Sequence, residues 1–455
     1  MIRRALILYL ALFLVFVVVG FVMGSAYTTR MLVEAAAYAL IALGLNIQWG
    51  YGGLFNFGIL GFLMIGGFAA TVVAMPVNAS FWQSDGPWLL GRAIGAAVIG
   101  ALLILGAGRL RRLGAPRWLA GLAQVVAWIA AYILVRTQID PAAAYIESNA
   151  GWVGGLGLPV VLGWGLGGLL AAGAGAIVGK ISLGLRTDYL AIATIGIAEI
   201  IRAVIKNADW LTRGTLTVSP VPWPVPTPQD YQALGAGGTA SFVLARLGFF
   251  VLVVLVVTLA LVLLQRAYRG PWGRMMRAIR DNHIAAEAMG KDVKARQLQV
   301  FVFGTVLIGI GGAILTSFAQ IFDPAGYQSI NHTFLVWVML IVGGAGNNFG
   351  ALFGGLFIYT IWVLSEPVSQ SLFSAVSDLT ARIGWGAIPD IASRALQMRV
   401  FVLGLVIVLA LRFAPRGVIP EVVGRSREAR PGNPEVRTGP KGDAGEARGM
   451  DRAER

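Results

Sequence analysis

The sequence predicts an all-α, polytopic transmembrane helical bundle of roughly ten to twelve spans, carrying a short cytoplasmic helix late in the chain and a charged tail. Three observations predict it. Hydrophobic residues fill 57% of the 455 positions and charged residues only 13%, about half the charge of an ordinary globular domain. Long runs such as 6–22 and 249–264 hold almost no polar group, and a stretch of about 18 such residues can cross a bilayer as a helix. Lysine and arginine gather in short segments between these runs, in the alternating pattern that orients a membrane protein.

The candidate spans, in order, are 5–24, 31–49, 54–75, 89–108, 118–136, 159–179, 188–206, 242–265, 298–320, 334–345, 350–364 and 398–413. The first resembles a signal peptide in having Arg3 and Arg4 before an apolar core. Its core is long and Gly24-Ser25-Ala26 is a poor cleavage site, so it is expected to be retained. The pair near 340–360 is short and glycine-rich and reads either as two spans or as one broken, re-entrant element. With the N-terminus inside, Arg109, Arg111, Arg112, Arg117, Lys180, Arg186, the basic stretch 266–296, Arg412 and Arg416 all face the cytoplasm. Arg30, Arg136, Lys206, Arg213, Arg382 and Arg394 are left outside, fewer and scattered. Both termini are therefore expected inside.

Two outer segments are long. Residues 207–240 include "SPVPWPVPTP", whose alternating prolines exclude a regular helix and favour an extended path. Residues 365–397 read as a more polar stretch with a short helix. The composition divides the chain into a membrane domain over 1–420 and a charged, Gly- and Pro-containing tail over 421–455, expected to be disordered and cytoplasmic.

Several function classes are excluded or made remote. With no cysteine there is no disulfide, thiolate metal site or cysteine nucleophile. His283 and His332 are the only histidines, so a multi-histidine metal site is not expected. The net charge of +14 is accounted for by the inward-facing loops, which meet anionic lipid rather than nucleic acid. No Ser/His/Asp constellation stands out, and the chain is not expected to be an enzyme. The nearest thing to a phosphate-binding loop, "AGAGAIVGKIS" (172–182), has Ala174 where the first glycine belongs and Ile181 where Ser or Thr would hold Mg²⁺. "GGAGNNFG" (343–350) fails the dinucleotide glycine pattern at Phe349. These stretches, like "GIGG" (309–312) and "GG" (354–355), read as small-residue packing surfaces, with hinging as the alternative.

Within this apolar chain, "PWGRMMRAIRDNHIAAEAMG" (271–290) is a basic island. At helical spacing Met275, Ile279, Ala286 and Met289 share one face, while Arg277, Arg280 and Lys291 share the other. Pro271 suits the entry and Gly290 the exit, and Asp281 or Asn282 can cap a second short helix from about 283. Such an element either lies on lipid headgroups or docks into a partner's groove.

Candidates for a translocation path are the polar residues at membrane depth. Asn46, Gln48 and Asn56 bracket a glycine-rich interruption, "QWGYGGLFNFG" (48–58), which is either a tight loop with Asn56 capping the next helix or a lining of the path. Asp188 stands at a helix start, where a carboxylate suits the dipole. Glu199 lies inside an apolar helix with Arg202 three residues on, within pairing reach, and Thr194 one turn before. This pair is either structural or marks a path, and Glu34 is a weaker candidate on the same grounds.

Four stretches carry a family resemblance: "ALGLNIQWGYGGLFNFG" (42–58), "LRTDYLAIATIGIAEIIR" (185–202), "GRMMRAIRDNHIAAEAMGKD" (273–292) and "LRFAPRGVIPE" (411–421). From about residue 31 to 420 the chain resembles the LivM-type permease subunits of branched-chain amino acid ABC importers; permeases for urea and short amides are closely similar. The resemblance implies an inner-membrane transport subunit for branched-chain or other apolar amino acids. It implies partners: ABC ATPase subunits that use ATP and Mg²⁺, a second related permease and a periplasmic substrate-binding protein that meets the outer loops. This chain itself would bind no cofactor. The resemblance makes 271–291 the coupling segment, with Met275, Arg277, Ile279, Arg280, Glu287 and Gly290 toward the ATPase. The general pattern there is Glu-Ala-Ala, three residues, then Gly; this chain reads "AAEAMG", with Glu287 three positions before Gly290. The segment around 89–136 is longer than the family requires. The rival from another class is a stand-alone secondary transporter, which would use Glu199 and Arg202 as its coupling site and rest 271–290 on lipid.

Overall fold

The computed structural model describes residues 2–110, 114, 116–384 and 389–421. The charged tail expected over 421–455 falls outside the described residues from 422 onward, as do Arg111 and Arg112. The described chain is helical, and its only β-type pairings are isolated bridges, Val77 with Gly154 and Val218 with Phe322.

The elements in order are α1 (Ile2–Met23), α2 (Ser25–Leu45) with a π-helical extension Asn46–Tyr51, α3 (Ile59–Ala74), the single turn α4 (Ala79–Trp82), α5 (Gly86–Leu110), α6 (Arg117–Asn149), α7 (Val160–Ser182) and α8 (Thr187–Asn207). Two short helices, α9 (Asp209–Thr212) and α10 (Pro228–Ala233), precede α11 (Gly238–Arg269). Then come α12 (Pro271–Asp281), α13 (His283–Ala288), α14 (Val293–Ala319), a π-helical turn Ile330–Phe334 running into α15 (Leu335–Gly343), α16 (Asn348–Arg382) and α17 (Ile391–Phe413). Nine helices among the described residues are long and apolar enough to cross a membrane, and two shorter apolar helices, Ile59–Ala74 and Asn331–Gly343, lie among them. The bundle is thus a polytopic helical one, as its hydropathy predicts.

The centre is α14, packed against α2, α3 and α7. Glycine makes this possible. A Cβ on Gly66 would lie 1.9 Å from the Gly309 carbonyl oxygen, and one on Gly312 would lie 2.1 Å from that of Leu63. The helices therefore touch backbone to backbone, the closeness that small residues permit in lipid. Residues 172–182 lie within α7, where Gly175 closes on the Thr305 side chain. That is helix packing and not a phosphate-binding loop. Outside the centre, α1 and α17 expose most of their surface.

One expectation needs correction, and two others take a definite form. Residues 365–397 are no loosely structured outer segment: α16 continues to Arg382 through Pro367. Its serines are accommodated inside the helix, Ser365 donating to the Trp362 carbonyl and Ser371 to that of Pro367, which satisfies their hydroxyls without leaving the helix. The 188–206 stretch is helical but too polar to count among the nine, since it holds Asp188, Glu199, Arg202 and Lys206. Finally, 334–345 and 350–364 are two separate helices, α15 and α16, which pack on each other with Gly354 against the Met339 carbonyl.

Chain direction fixes two ends. The segment 46–53, α12, residues 344–347 and 416–421 meet at one end, here called the α12 end. Ser25, the 76–78 and 150–158 loops, 207–237 and 320–329 lie toward the far end.

Candidate functional site

The interruption after α2 is built from the residue types that the sequence singles out. Gly52 N–H reaches back five residues to the Ile47 carbonyl and Leu54 N–H six residues to that of Gln48. This widened turn is of the kind that often marks functional sites. Gly53 takes φ +67°, a left-handed conformation that favours glycine. At Gly50 a Cβ would lie 2.2 Å from Asn46 Oδ1 and 2.4 Å from Gly346 N, so no side chain fits.

Around this turn Asn46, Gln48, Asn56 and Asn348 are all 0% exposed. Asn46 Nδ2 donates to Asn348 Oδ1 at 2.9 Å, and Asn46 Oδ1 accepts from Gly346 N–H at 2.9 Å. Asn56 Nδ2 donates to Gln48 Oε1 at 2.8 Å, and Gln48 Nε2 donates to the Phe301 carbonyl at 2.8 Å. Asn56 Oδ1 accepts from Gly58 N–H, yet Gly58 is the residue that flanks α3 and no side chain caps the helix. The expected cap by Asn56 is therefore replaced by a brace two residues upstream. Beside it, Phe55, Phe57 and Trp49 gather round Trp337, whose indole N–H donates to the Asn56 carbonyl. Asn46, Gln48 and Asn56 hold the bend through each other and through α14 and α16. Low local dielectric makes each bond of such a network strong and its loss costly, and one of its atoms, Asn348 Nδ2, is buried without a partner.

Arg280 joins this bend to the basic island. Its Nη1 donates to the Gly50 carbonyl at 2.6 Å and to Glu421 Oε2 at 2.9 Å, and its Nε to Asp281 Oδ1 at 3.2 Å. Burial lowers the affinity of the guanidinium for its proton, but the hydrogen bond and charge of Glu421, then of Asp281, outweigh it and leave the pKa raised. The island itself is two helices, with Asn282 capping the second by accepting from Ala285 N–H at 3.0 Å. Its faces differ from a single continuous helix. Ile279 is 2% exposed and packs on the chain's own core, as does Met276, while Met275 and Arg277 are half-buried. Ile279 is thus unavailable to a partner; Glu287 and Gly290 are exposed, and the apolar side chains presented outward are Ile284 (69%) and Met289 (80%). Ile284 does not emerge from a single helix phase drawn from Met275 to Met289, because the break at Asn282 resets the phase of the second helix.

On α8 the expected pair forms: Arg202 Nη1 donates to Glu199 Oε2 at 2.8 Å, and Ser329 Oγ donates to Glu199 Oε1 at 3.0 Å. Thr194 is buried and accepts from Phe57 N–H at 3.0 Å, tying α8 to the 46–58 bend. Asp188 sits in the first turn, but Arg186 is the cap position and makes no side-chain bond, so Asp188 acts through the dipole alone.

The far half holds a cluster that the sequence reading touched only at Glu34. Arg30 Nε donates to Glu34 Oε1 at 3.2 Å, one turn apart on α2. Tyr359 on α16 donates its hydroxyl to Glu34 Oε2 at 2.7 Å and stacks on Tyr38, centroids 4.7 Å apart. Arg399 on α17 pairs with Glu366 on α16 and lies over the Trp362 ring. Two cavities adjoin the Glu34–Tyr359 bond. One, of about 380 Å³, is lined by Arg30, Glu34, Glu366, Arg399 and Trp362 among others. The other, of about 240 Å³, is lined by Tyr38, Leu63, Leu315, Ile321, Asp323, Tyr327 and His332 among others, together with Glu34 and Tyr359. In the latter Tyr327 bonds to Thr316 at 3.0 Å, and burial pushes its pKa up to about 12. The Arg30–Glu34 spacing was legible; the partners on α16 and α17 were not, because no local spacing connects residue 34 to 359.

A helical bundle with buried polar bends, intramembrane charge pairs and an exposed polar helix pair at one end has the make-up of a membrane permease subunit. Residues 27–411 match the family described as the branched-chain amino acid transport system / permease component, and the chain belongs to that family. It is 28% identical over 202 residues to the high-affinity branched-chain amino acid transport system permease protein LivM of Escherichia coli, a match covering 42% of this chain and 47% of that protein, so just under half of that relative is spanned. It is 22% identical over 384 residues to a probable branched-chain amino acid transport permease protein LivM of Methanocaldococcus jannaschii, covering 84% of this chain and 90% of that protein. A probable LivH permease of the same archaeon is 30% identical over 149 residues, 30% of this chain and 44% of that protein. No solved structure matches the chain.

Proposed function

We propose that the chain is one permease of an ATP-driven importer that moves branched-chain or other apolar amino acids across the bacterial inner membrane. Its partners would be ABC ATPase subunits, which hold the ATP and Mg²⁺ that this chain does not, a second related permease, and a periplasmic binding protein. In this reading the α12 end and both termini face the cytoplasm, in accord with the basic residues of 266–296 and with Arg412 and Arg416. The far-end segment 207–237, with its prolines, faces the binding protein.

The observation that carries the reading is the construction of the α12–α13 pair. It continues directly from α11 and leads into α14, so any displacement reaches two membrane helices at once. It presents Ile284 and Met289 outward and anchors inward through Ile279 and Arg280. Closure of the ATPases would push this handle. Arg280 would carry the push to Gly50 on the α2 side, and the neighbouring Gly346–Asn46–Asn348 bonds would carry it to the start of α16. Those two helices border the far cavities, so alternating access follows from rigid helices moved at one end.

The test is co-purification of the full chain with the ATPase. Ile284→Asp and Met289→Asp are expected to reduce ATPase recovery about tenfold or more while the permease stays in the membrane. Undiminished recovery in both variants, or ion-driven uptake by the chain without any ATPase, overturns the reading.

A further inference from the structure

We propose that the two cavities on either side of the Glu34–Tyr359 hydrogen bond form one binding site for a zwitterionic α-amino acid with an apolar side chain. The site deepens the transport reading above and rests on it. Three observations converge. The larger cavity, about 380 Å³, falls in the range of about 300–1,000 Å³ that small-molecule sites occupy, and it is walled by two carboxylates and two guanidiniums, Glu34, Glu366, Arg30 and Arg399. That is the complement of a solute carrying one ammonium and one carboxylate. The smaller cavity adjoins the same Glu34–Tyr359 pair and offers Leu63, Leu315 and Ile321 to an aliphatic side chain, with Asp323 and His332 on its polar side. Glu34 itself lies deep, nine positions into α2 and roughly 14 Å from its far end at about 1.5 Å per residue, with only 15% of its side chain exposed.

Ionisable side chains within membrane-spanning helices are costly to keep and commonly face a cavity or a pathway. These are also incompletely used. Arg399 Nε is buried with no hydrogen-bond partner. Arg30 meets Glu34 through Nε, which leaves its terminal nitrogens to face a ligand carboxylate. Glu34 takes one bond on each oxygen and has lone pairs left for an ammonium. The assignment is therefore Glu34 to the ammonium, Arg30 and Arg399 to the carboxylate, and Tyr359 as the hydroxyl between them, with its ring held by the stack on Tyr38. The walls come from α2, α3, α14, α16 and α17, the 321–327 loop and the π-helical turn at His332. Movement of α16 against α2 would open or close the site.

The test uses the full membrane complex without binding protein, in nanodiscs of phosphatidylglycerol, with tritiated L-leucine as probe and N-acetyl-L-leucine and L-leucinamide as competitors. The parent is expected to bind leucine and to ignore both competitors, each of which lacks one charge. Glu34→Gln is expected to weaken leucine binding about tenfold or more and to admit N-acetyl-L-leucine; Arg30→Gln is expected to do the same and to admit L-leucinamide. A merely structural pair would not exchange selectivity in this way. Folded Glu34→Gln and Arg30→Gln proteins that bind leucine like the parent overturn the site. If Glu34→Gln fails to fold, Tyr359→Phe decides: it keeps the ring stack, and a several-fold loss supports the site while unchanged binding overturns it. Competition by phosphatidylethanolamine in place of leucine assigns the zwitterion to lipid and overturns the solute reading. Leucine uptake by the complete importer with no binding to this complex sinks the site but leaves the transport function standing. Uptake of urea or acetamide instead of leucine sinks both.

Discussion

Arg280 and Glu421 meet at 2.9 Å, and the same Arg280 nitrogen reaches the Gly50 carbonyl at 2.6 Å. A helix of the basic island is thereby tied to the membrane bend after α2 and to the last described residue of the chain. Glu421→Gln is expected to cost about 1–3 kcal/mol of local stability, since a charged partner becomes a neutral one in a mostly buried place. Under the proposed importer function it is expected to lower the number of solute molecules moved per ATP more than it lowers ATP hydrolysis. Thermal unfolding and paired uptake and hydrolysis rates measure the two effects; equal losses in both rates would show that the tie does not transmit.

Breaking the amide network should be destabilising wherever it is cut. Asn46→Leu strands the Gly346 N–H and the Asn348 Oδ1, two groups at 0% exposure or in contact with it. Each orphan costs about 1–3 kcal/mol, so a clear fall in unfolding temperature is expected. A variant as stable as the parent would mean that water replaces the lost partner.

Close helix contact makes a paired prediction. Gly66→Val places side-chain atoms where the Gly309 carbonyl stands and is expected to prevent assembly of the bundle. Gly165→Ala, on α7 with nothing within 4 Å of a new Cβ, is expected to be neutral or to stabilise by up to about 1 kcal/mol. Detergent size-exclusion profiles and unfolding temperatures distinguish the two.

At the far end Asp230 closes a capping box at the start of α10, accepting from the Thr227 hydroxyl and N–H. The bond to the Thr227 side chain, then that to its backbone, lowers the carboxyl pKa. A folded value below the unfolded one means the cap is fully present above the unfolded carboxylate range and is lost as pH falls through the folded value. Hydrogen exchange over 228–233, corrected for intrinsic rates, is expected to lose protection on acidification. Asp230→Asn should remove that dependence, and protection that stays constant with pH in the parent would refute it.

The membrane character, the two-helix island with its Asn282 cap and the Glu199–Arg202 pair were legible because each depends on local spacing or on apolar run length. Asn46, Gln48 and Asn56 were correctly seen as unusual, but whether they face a path or each other depends on Asn348 and Phe301, some 250 to 300 residues away. The length of α16 was hidden by Pro367 and a serine-rich composition, which suggest a loop when serine's bond back to its own helix is left out of account. Ile279 was assigned to a partner because periodicity gives a face without saying which neighbour covers it. The far cavities escaped altogether except for Glu34, since their walls are drawn from five helices far apart in the chain.

The pair α5 and α6 packs chiefly on itself, with Ala131 against Gly100, and touches the rest mainly through α4 and α9. At its base the Asn78 amide donates to the carbonyls of Ala150 at 3.0 Å and Trp152 at 2.8 Å, so the chain leaves and re-enters the bundle at nearly the same point. Everything from 79 to 149 is therefore a removable appendage: a deletion joined across that clasp would need only a tiny bridge, and a foreign hairpin could be spliced in its place without the remaining helices having to rearrange.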